Sequence, residues 1–231
     1  MRPGRPRLDR SRDTCSELLE ASLELFAERG YFGTSLRDIA RAVGIRESAV
    51  YHYFSSKEAL FEEILHGECA ELVEHVDGFL SEPIVDARDY LRRVGSHFID
   101  RFTRRRERLL FRVIMTDGMR LAHAGRLDFV GRSGGPEAVR AIIGRLQVEG
   151  WLRDGSVDLM HLEWAAPFIA WRHLQELQPL HPLVASRERF VIEHVEHFLR
   201  AAGNPERRGT APTGAPPSRW CGDNASQVDH V

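Results

Sequence analysis

From residue 11 to residue 201 apolar side chains recur every three or four positions, and the every-second-residue alternation of a half-buried strand is nearly absent. A chain patterned this way has few options: helices that each bury one stripe against other helices. Its 231 residues suffice for one medium or two small domains with a real core. The expected fold is all-α, with about nine helices.

The first helix is expected over 11–28, with Leu18, Leu19, Leu25 and Phe26 inward and Gly30 as its stop. A long helix should start at Ser56, carry Leu60, Phe61, Ile64, Leu65, Leu72 and Val76 on one side, and end at Pro83. Further helices are expected over 86–102, 107–116, 119–129 and 136–148, with Pro136 well suited to a first helical position. The segment 157–177 is apolar on most sides, which predicts burial, and Pro167 predicts a kink in it. A last helix over 186–201 turns Phe190, Val191, Val195, Phe198 and Leu199 inward. From Gly203 onward the chain is rich in Pro, Gly and Ser without an apolar period, the composition of a disordered tail.

No apolar run approaches the roughly 20 residues needed to span a bilayer, and the basic N-terminus is not followed by the apolar stretch of a secretory signal. A cytoplasmic protein is expected. Cys15, Cys69 and Cys221 match no zinc or redox spacing. His66 with Cys69, and His194 with His197, could each offer two ligands on one turn, whereas a closed site takes about four, so neither a metal nor a cofactor is expected. The net charge of -2 does not advertise nucleic acid, but Arg2, Arg5, Arg7, Arg10 and Arg12 face only Asp9 in the first twelve residues.

Residues 34–60 carry the most specific chemistry. Thr34-Ser35 is a candidate N-cap, and Asp38 stands where a capping box has its acid. Leu36, Ile39, Ala40 and Val43 form a buried side, Gly44 supplies a tight turn, Ile45 plugs the corner, and Val50 and Phe54 face inward from a second run. Glu47 and Tyr51 are left on an outer strip with Ser48 and His52 beside it. Small residues with hydrogen-bonding tips suit a helix that enters a DNA major groove. The bland alternative is a helical hairpin with a solvated face.

The stretch "GYFGTSLRDIARAVGIRESAVYHYFSSKEALFEEIL" resembles the DNA-binding domain of the TetR family of transcriptional regulators. From about Leu18 to Leu65, Gly30-Tyr31, Thr34-Ser35, Asp38-Ile39-Ala40, Gly44, Tyr51-x-Tyr53-Phe54 and Ser56-Lys57-Glu58 fall in the family's pattern. The resemblance implies a three-helix DNA-binding head followed by a helical domain for ligand binding and dimerisation. It implies that Ser35 and Arg37 meet a phosphate or base edge, that Glu47, Ser48, Ala49 and His52 face bases, and that Tyr51, Tyr53 and Lys57 hold phosphates. Lys57 would share its phosphate with a helix N-terminus. Arg46 stands where the family usually has Ser, so a side-chain N-cap is missing there; Arg46 could reach a guanine or a phosphate. Tyr53 replaces a commoner His. Arg5 and Arg7 are further candidates for DNA contact.

The resulting division is a basic flexible arm over 1–10, the helix-turn-helix domain over 11–55, the effector-binding and dimerisation domain over 56–202, and the tail over 203–231. Phe111, Met115, Trp151, His161, Trp164, Phe168 and Trp171 could line a pocket for a mostly apolar effector, or be plain core. The helices over 157–177 and 186–201 would pair with their twofold mates. The resemblance implies a repressor that binds a palindromic operator as a dimer and is released by a small apolar effector, with no enzymatic activity. Two other classes compete: a helical adaptor that binds no DNA, and a hydrolase built on Ser133 in "GRSGG". That motif needs a strand before it and a helix after it within an α/β sheet.

Overall fold

A computed structural model describes residues 7–125 and 135–210. Ten α-helices are present among them: α1 (Arg7–Arg29), α2 (Leu36–Val43), α3 (Glu47–Val50), α4 (Lys57–Ser81), α5 (Ala87–Thr103), α6 (Arg105–His123), α7 (Gly135–Val148), α8 (Val157–Leu177), α9 (Pro182–Ala185) and α10 (Arg187–Ala202). A 3-10 helix over Pro205–Thr210 follows. Among the described residues there is no strand beyond one isolated bridge between Leu152 and Gly203. The sheet that a hydrolase reading requires is absent from them, while Ser133 itself lies outside the described residues. No helix among them is long and apolar enough to cross a membrane.

The helices bury two apolar cores. The first gathers Leu18, Leu23 and Phe26 from α1, Leu36, Ile39 and Ala40 from α2, Val50 from α3, and Leu60, Phe61 and Ile64 from α4. Leu110, Val113 and Leu121 of α6 complete it, so a helix far along the chain is built into the head. The second core packs α5 against α10 and α7 between α4 and α8. Trp164, Phe168 and Trp171 of α8 sit at its centre, against Phe190, His194 and Phe198 of α10. Helix α4 therefore runs from one core to the other, whereas the apolar residues of α6 belong to the first.

Several expected boundaries move. Residues 7–10 belong to α1 rather than to a flexible arm. The break expected between 116 and 119 does not occur, because α6 runs through Asp117 and Gly118 to His123. Asp117 is buried there and accepts a hydrogen bond from another helix junction, which removes its pull toward a turn. The chain after Gly203 stays packed as far as Arg207: Asn204 N–H donates to the Trp151 carbonyl, and the Arg207 guanidinium lies 4.2 Å from the Trp151 ring centre. Pro167 is accommodated inside α8, which continues to Leu177.

Charge joins the two cores. Arg101 of α5, 4% exposed, pairs with Glu68 of α4 at 3.1 Å and also with Glu107 of α6. Arg172 of α8 reaches Glu107 at 3.1 Å. Arg106 of α6 bridges Glu68 and Glu20 of α1. Burial, with the Glu107 charge beside it, pushes the Glu68 carboxyl above its usual range despite its arginines.

Tyr31, 1% exposed between α1 and α2, is the hub of the head. Its ring packs on Phe26 and Phe61 at 5.2 and 5.3 Å. Lys57 places its ammonium 4.3 Å from the centre of that ring and donates to the carbonyls of Tyr31 and Thr34, both at 2.8 Å. The lysine is thus a brace between the start of α4 and the turn before α2.

Two outcomes follow from this packing. Lys57→Met leaves two half-buried carbonyls without their charged donor and should cost about 1–3 kcal/mol in denaturant unfolding. Unchanged stability would refute the brace. His194 is stacked on Trp164 and Phe190, with Nε2 2.9 Å from the Trp164 carbonyl, and burial lowers its pKa below the ordinary value. A lowered pKa means the fold favours the neutral ring, so its stability is present above about pH 6.5 and is lost as the pH falls. Half-buried His97 is shifted the same way, again chiefly by burial. Melting temperatures should therefore fall between about pH 7 and about pH 5, less steeply in His194→Phe than in the parent.

Candidate nucleic-acid interface

Helix α2 is fixed at both ends by its own sequence. The Ser35 hydroxyl accepts from Asp38 N–H at 3.2 Å, and the Asp38 carboxylate accepts from Ser35 N–H at 3.1 Å, a complete capping box. Those Ser35 donors hold the Asp38 carboxyl below its usual range. At the other end Gly44 adopts φ +77°, Gly44 N–H reaches the Arg41 carbonyl, and Ile45 N–H reaches the Ala40 carbonyl at 2.9 Å. This is a Schellman stop, and any residue with a Cβ would strain it. The chain then reverses into α3.

The regular part of α3 is short, Glu47–Val50 only. It opens at Arg46 without a side-chain cap, as expected from the missing serine. The turn continues through His52 N–H to the Ala49 carbonyl at 3.2 Å and Tyr53 N–H to the Val50 carbonyl at 2.9 Å. Val50 and Phe54 anchor this piece in the head core at 0% and 7% exposure. Arg46, Glu47, Ser48, Tyr51 and His52 all remain exposed, and Ala49 half so. The strip expected to read DNA is left uncovered by the described residues.

The flanking candidates divide. Ser35 and Arg37 are exposed at the start of α2, although the Ser35 hydroxyl is engaged by the cap. Tyr51 is 54% exposed, whereas Tyr53 is half-buried and packs against the head core. Lys57 is half-buried, with two of its N–H groups on carbonyls of the head. Arg5 lies outside the described residues, and Arg7 is the first residue of α1. Ser56 caps α4 by accepting from Ala59 N–H at 3.1 Å.

The seven residues considered for an effector pocket do not meet in one place. Trp164, Phe168 and Trp171 are 0%, 3% and 1% exposed and tightly stacked core. Phe111 and Met115 lie at the seam of α6 and α8 against His173. His161 sits near Asp158 and Arg140, its pKa lowered mainly by burial. Trp151 borders an open depression of about 310 Å³, together with Asp86, Arg88, Glu196, Leu199 and Arg207. Among the described residues no group of three or more His, Cys, Asp or Glu side chains is arranged to hold a metal ion.

Sequence reasoning missed the contacts that tie the head to α6. The Asp117 carboxylate accepts from Tyr31 N–H at 2.6 Å, and Arg120 lies over the Phe32 ring at 4.1 Å. The available signal was an acid set in an otherwise apolar stripe, Leu110, Val113, Ile114, Asp117, Leu121.

Residues 18–64 match the model for the bacterial regulatory proteins of the tetR family. The HTH-type transcriptional repressor KstR2 of Rhodococcus jostii (strain RHA1) is 52% identical over 52 residues, 22% of this chain and 26% of that protein. The chain thus spans about a quarter of the length of that relative. A TetR-family transcriptional regulator from Mesorhizobium loti MAFF303099 superposes with a TM-score of 0.67 at 22% identity, covering 84% of this chain and 98% of that one. The transcriptional regulator FadR from Bacillus subtilis, solved in complex with stearoyl-CoA, gives 0.61 at 18%, covering 78% and 96%. These likenesses extend the shared fold over both cores, while the family model matches the head. By that match, residues 18–64 are similar to the N-terminal domain of the bacterial regulatory proteins of the tetR family, and the chain shares the fold of a solved TetR-family regulator.

Proposed function

We propose that the protein is a cytoplasmic, ligand-responsive transcriptional repressor that binds a palindromic operator as a homodimer and is released by a small, mostly apolar effector. The observation that carries this reading is the exposed strip from Arg46 to His52, set on a turn that is capped on one side and anchored by Val50 and Phe54 on the other. Such a strip is rigid enough to enter a groove, and the described residues leave it open to do so. Glu47, Ser48, Ala49 and His52 are assigned to base edges, and Arg37 and Tyr51 to phosphates. Arg46 takes whichever of the two lies nearest the start of α3.

A recognition element of one to two turns reads too few bases alone, so the function requires a twin. An exposed apolar stripe on α8 suits that purpose: Leu159, Leu162, Ile169 and Leu177 are each more than half exposed and point away from Trp164 and Phe168. The outer face of α10, with Glu188, Glu193 and His197, is polar. Pairing through α8 and α10 would bury the stripe at the centre with charge at its rim. An effector would act by changing the separation of the two heads, and a coupling of about 1–3 kcal/mol suffices for a switch.

Selection of bound duplexes from random DNA should return an inverted repeat with half-sites about one helical turn apart; failure to enrich any sequence would defeat the assignment. Arg37→Ala should weaken all duplexes alike and lower the salt slope by about 1. Tyr51→Phe should weaken them alike through loss of one hydrogen bond, about 0.5–1.5 kcal/mol. Glu47→Gln and Ser48→Ala should instead change which sequence is preferred. Replacing Leu162 and Ile169 together by Arg should yield monomers in analytical ultracentrifugation; a persistent dimer would rule out α8.

A further inference from the structure

Three consecutive residues of the turn between α1 and α2 are held by α6. Gly30 has φ +77°, and a Cβ there would stand 2.9 Å from the Asp117 carboxylate, so only glycine allows the approach. Tyr31 donates its N–H to that carboxylate at 2.6 Å. The Phe32 ring receives the Arg120 guanidinium at 4.1 Å, and Arg120 lies 3.6 Å from the second Asp117 oxygen. The far end of α6 carries Glu107, which is bound by Arg101 of α5 and Arg172 of α8. One rigid helix thus has one end in the charge network of the body and the other on the first turn of the head.

Lys57 of α4 holds the carbonyl of the same Tyr31 whose N–H is held by Asp117. A sliding of α6 past α4 cannot preserve both bonds. The turn is therefore set by the relative position of two helices that both reach into the body, and packed elements of this kind move between discrete arrangements rather than continuously.

We infer that Asp117 is a positioning residue for operator binding: its link to Tyr31 N–H fixes the angle of the head on the body, and so the spacing between the two heads of a dimer. This rests on the DNA-binding reading above. Asp117 is 5% exposed, so it acts on DNA only through the head. A body rearrangement that moves α6 would reach the head directly by this link.

The test uses the full-length protein and the operator selected by the parent, as the intact palindrome, as an isolated half-site, and with half-sites moved by one or two base pairs. Failure of the parent to select any operator would fall on the DNA-binding reading and leave the positions of Asp117 variants unmeasured against it, so that selection is completed first. Asp117→Ala is expected to lose about tenfold on the palindrome, keep its half-site affinity, and discriminate less between spacings. Asp117→Glu, which keeps the acceptor and adds one methylene, should shift the preferred spacing. Backbone amide exchange at Tyr31 should accelerate in Asp117→Ala while Ile39 stays protected. Equal losses on half-site and palindrome, unchanged spacing preference in both variants, or loss of the fold in both by circular dichroism would each overturn the inference.

Discussion

Arg101 sits between Glu68 and Glu107 with all three side chains withdrawn from water, and the arrangement of the long helices depends on that meeting. Helices that touch only through apolar ridges can slide by a turn at modest cost, since another ridge fills the vacated groove. Buried charges have no such substitute. Removing one partner of a buried pair costs about 3–5 kcal/mol because the other is left uncompensated, so the network selects one register for α4, α5, α6 and α8. Arg106 then carries the same register into α1 through Glu20. Such a cluster adds less to net stability than an apolar core of equal volume would, and its contribution lies in fixing the body against the head.

That fixing matters to the proposed function because the element proposed to read DNA is so small. Four residues of regular helix would not hold a shape alone; α3 holds it because Val50 and Phe54 are sunk in a core made of α1, α2, α4 and α6. The precision of the exposed strip is borrowed from buried neighbours. Any motion of α4 or α6 is a motion of the core that holds Val50, and the body is placed to move the strip without touching it.

Much of the head was legible in the sequence, for local reasons. Ser35 with Asp38, and Gly44 with Ile45, announce their hydrogen bonds within a few residues, so spacing alone was enough to place the capping box and the stop. The helices of the body were legible by period. What could not be read was anything decided by long-range charge: Glu68 and Arg101 are thirty-three residues apart, and each looks like an ordinary surface residue on its own helix. Asp117-Gly118 reads locally as a break, yet Tyr31 N–H, eighty-six residues away, turns the aspartate into an interior acceptor. The aromatic residues of α8 were ambiguous in the sequence for the same reason. Period shows that Trp164 and Phe168 face inward, but only the partners across the core, Phe190, His194 and Phe198, show that the space in front of them is filled.

Lys57 shows what a family pattern does and does not certify. Thirty-one of the thirty-two basic residues in this chain are arginine, and the one lysine stands at the start of α4. The site asks for a compact point charge that can donate to two carbonyls 2.8 Å away while resting on a ring face, a role for which an ammonium is better shaped than a planar guanidinium. The residue is thus accounted for by the folding of the head. Gly44, Phe54, Tyr31 and Thr34 belong to the same class, since each meets a structural demand that exists with or without DNA. A match across such positions identifies the scaffold, whereas in the proposed reading the preference for one operator over another resides in the residues the scaffold leaves exposed, Arg46 to His52. Two proteins can share every buried position of this head and still read different sequences.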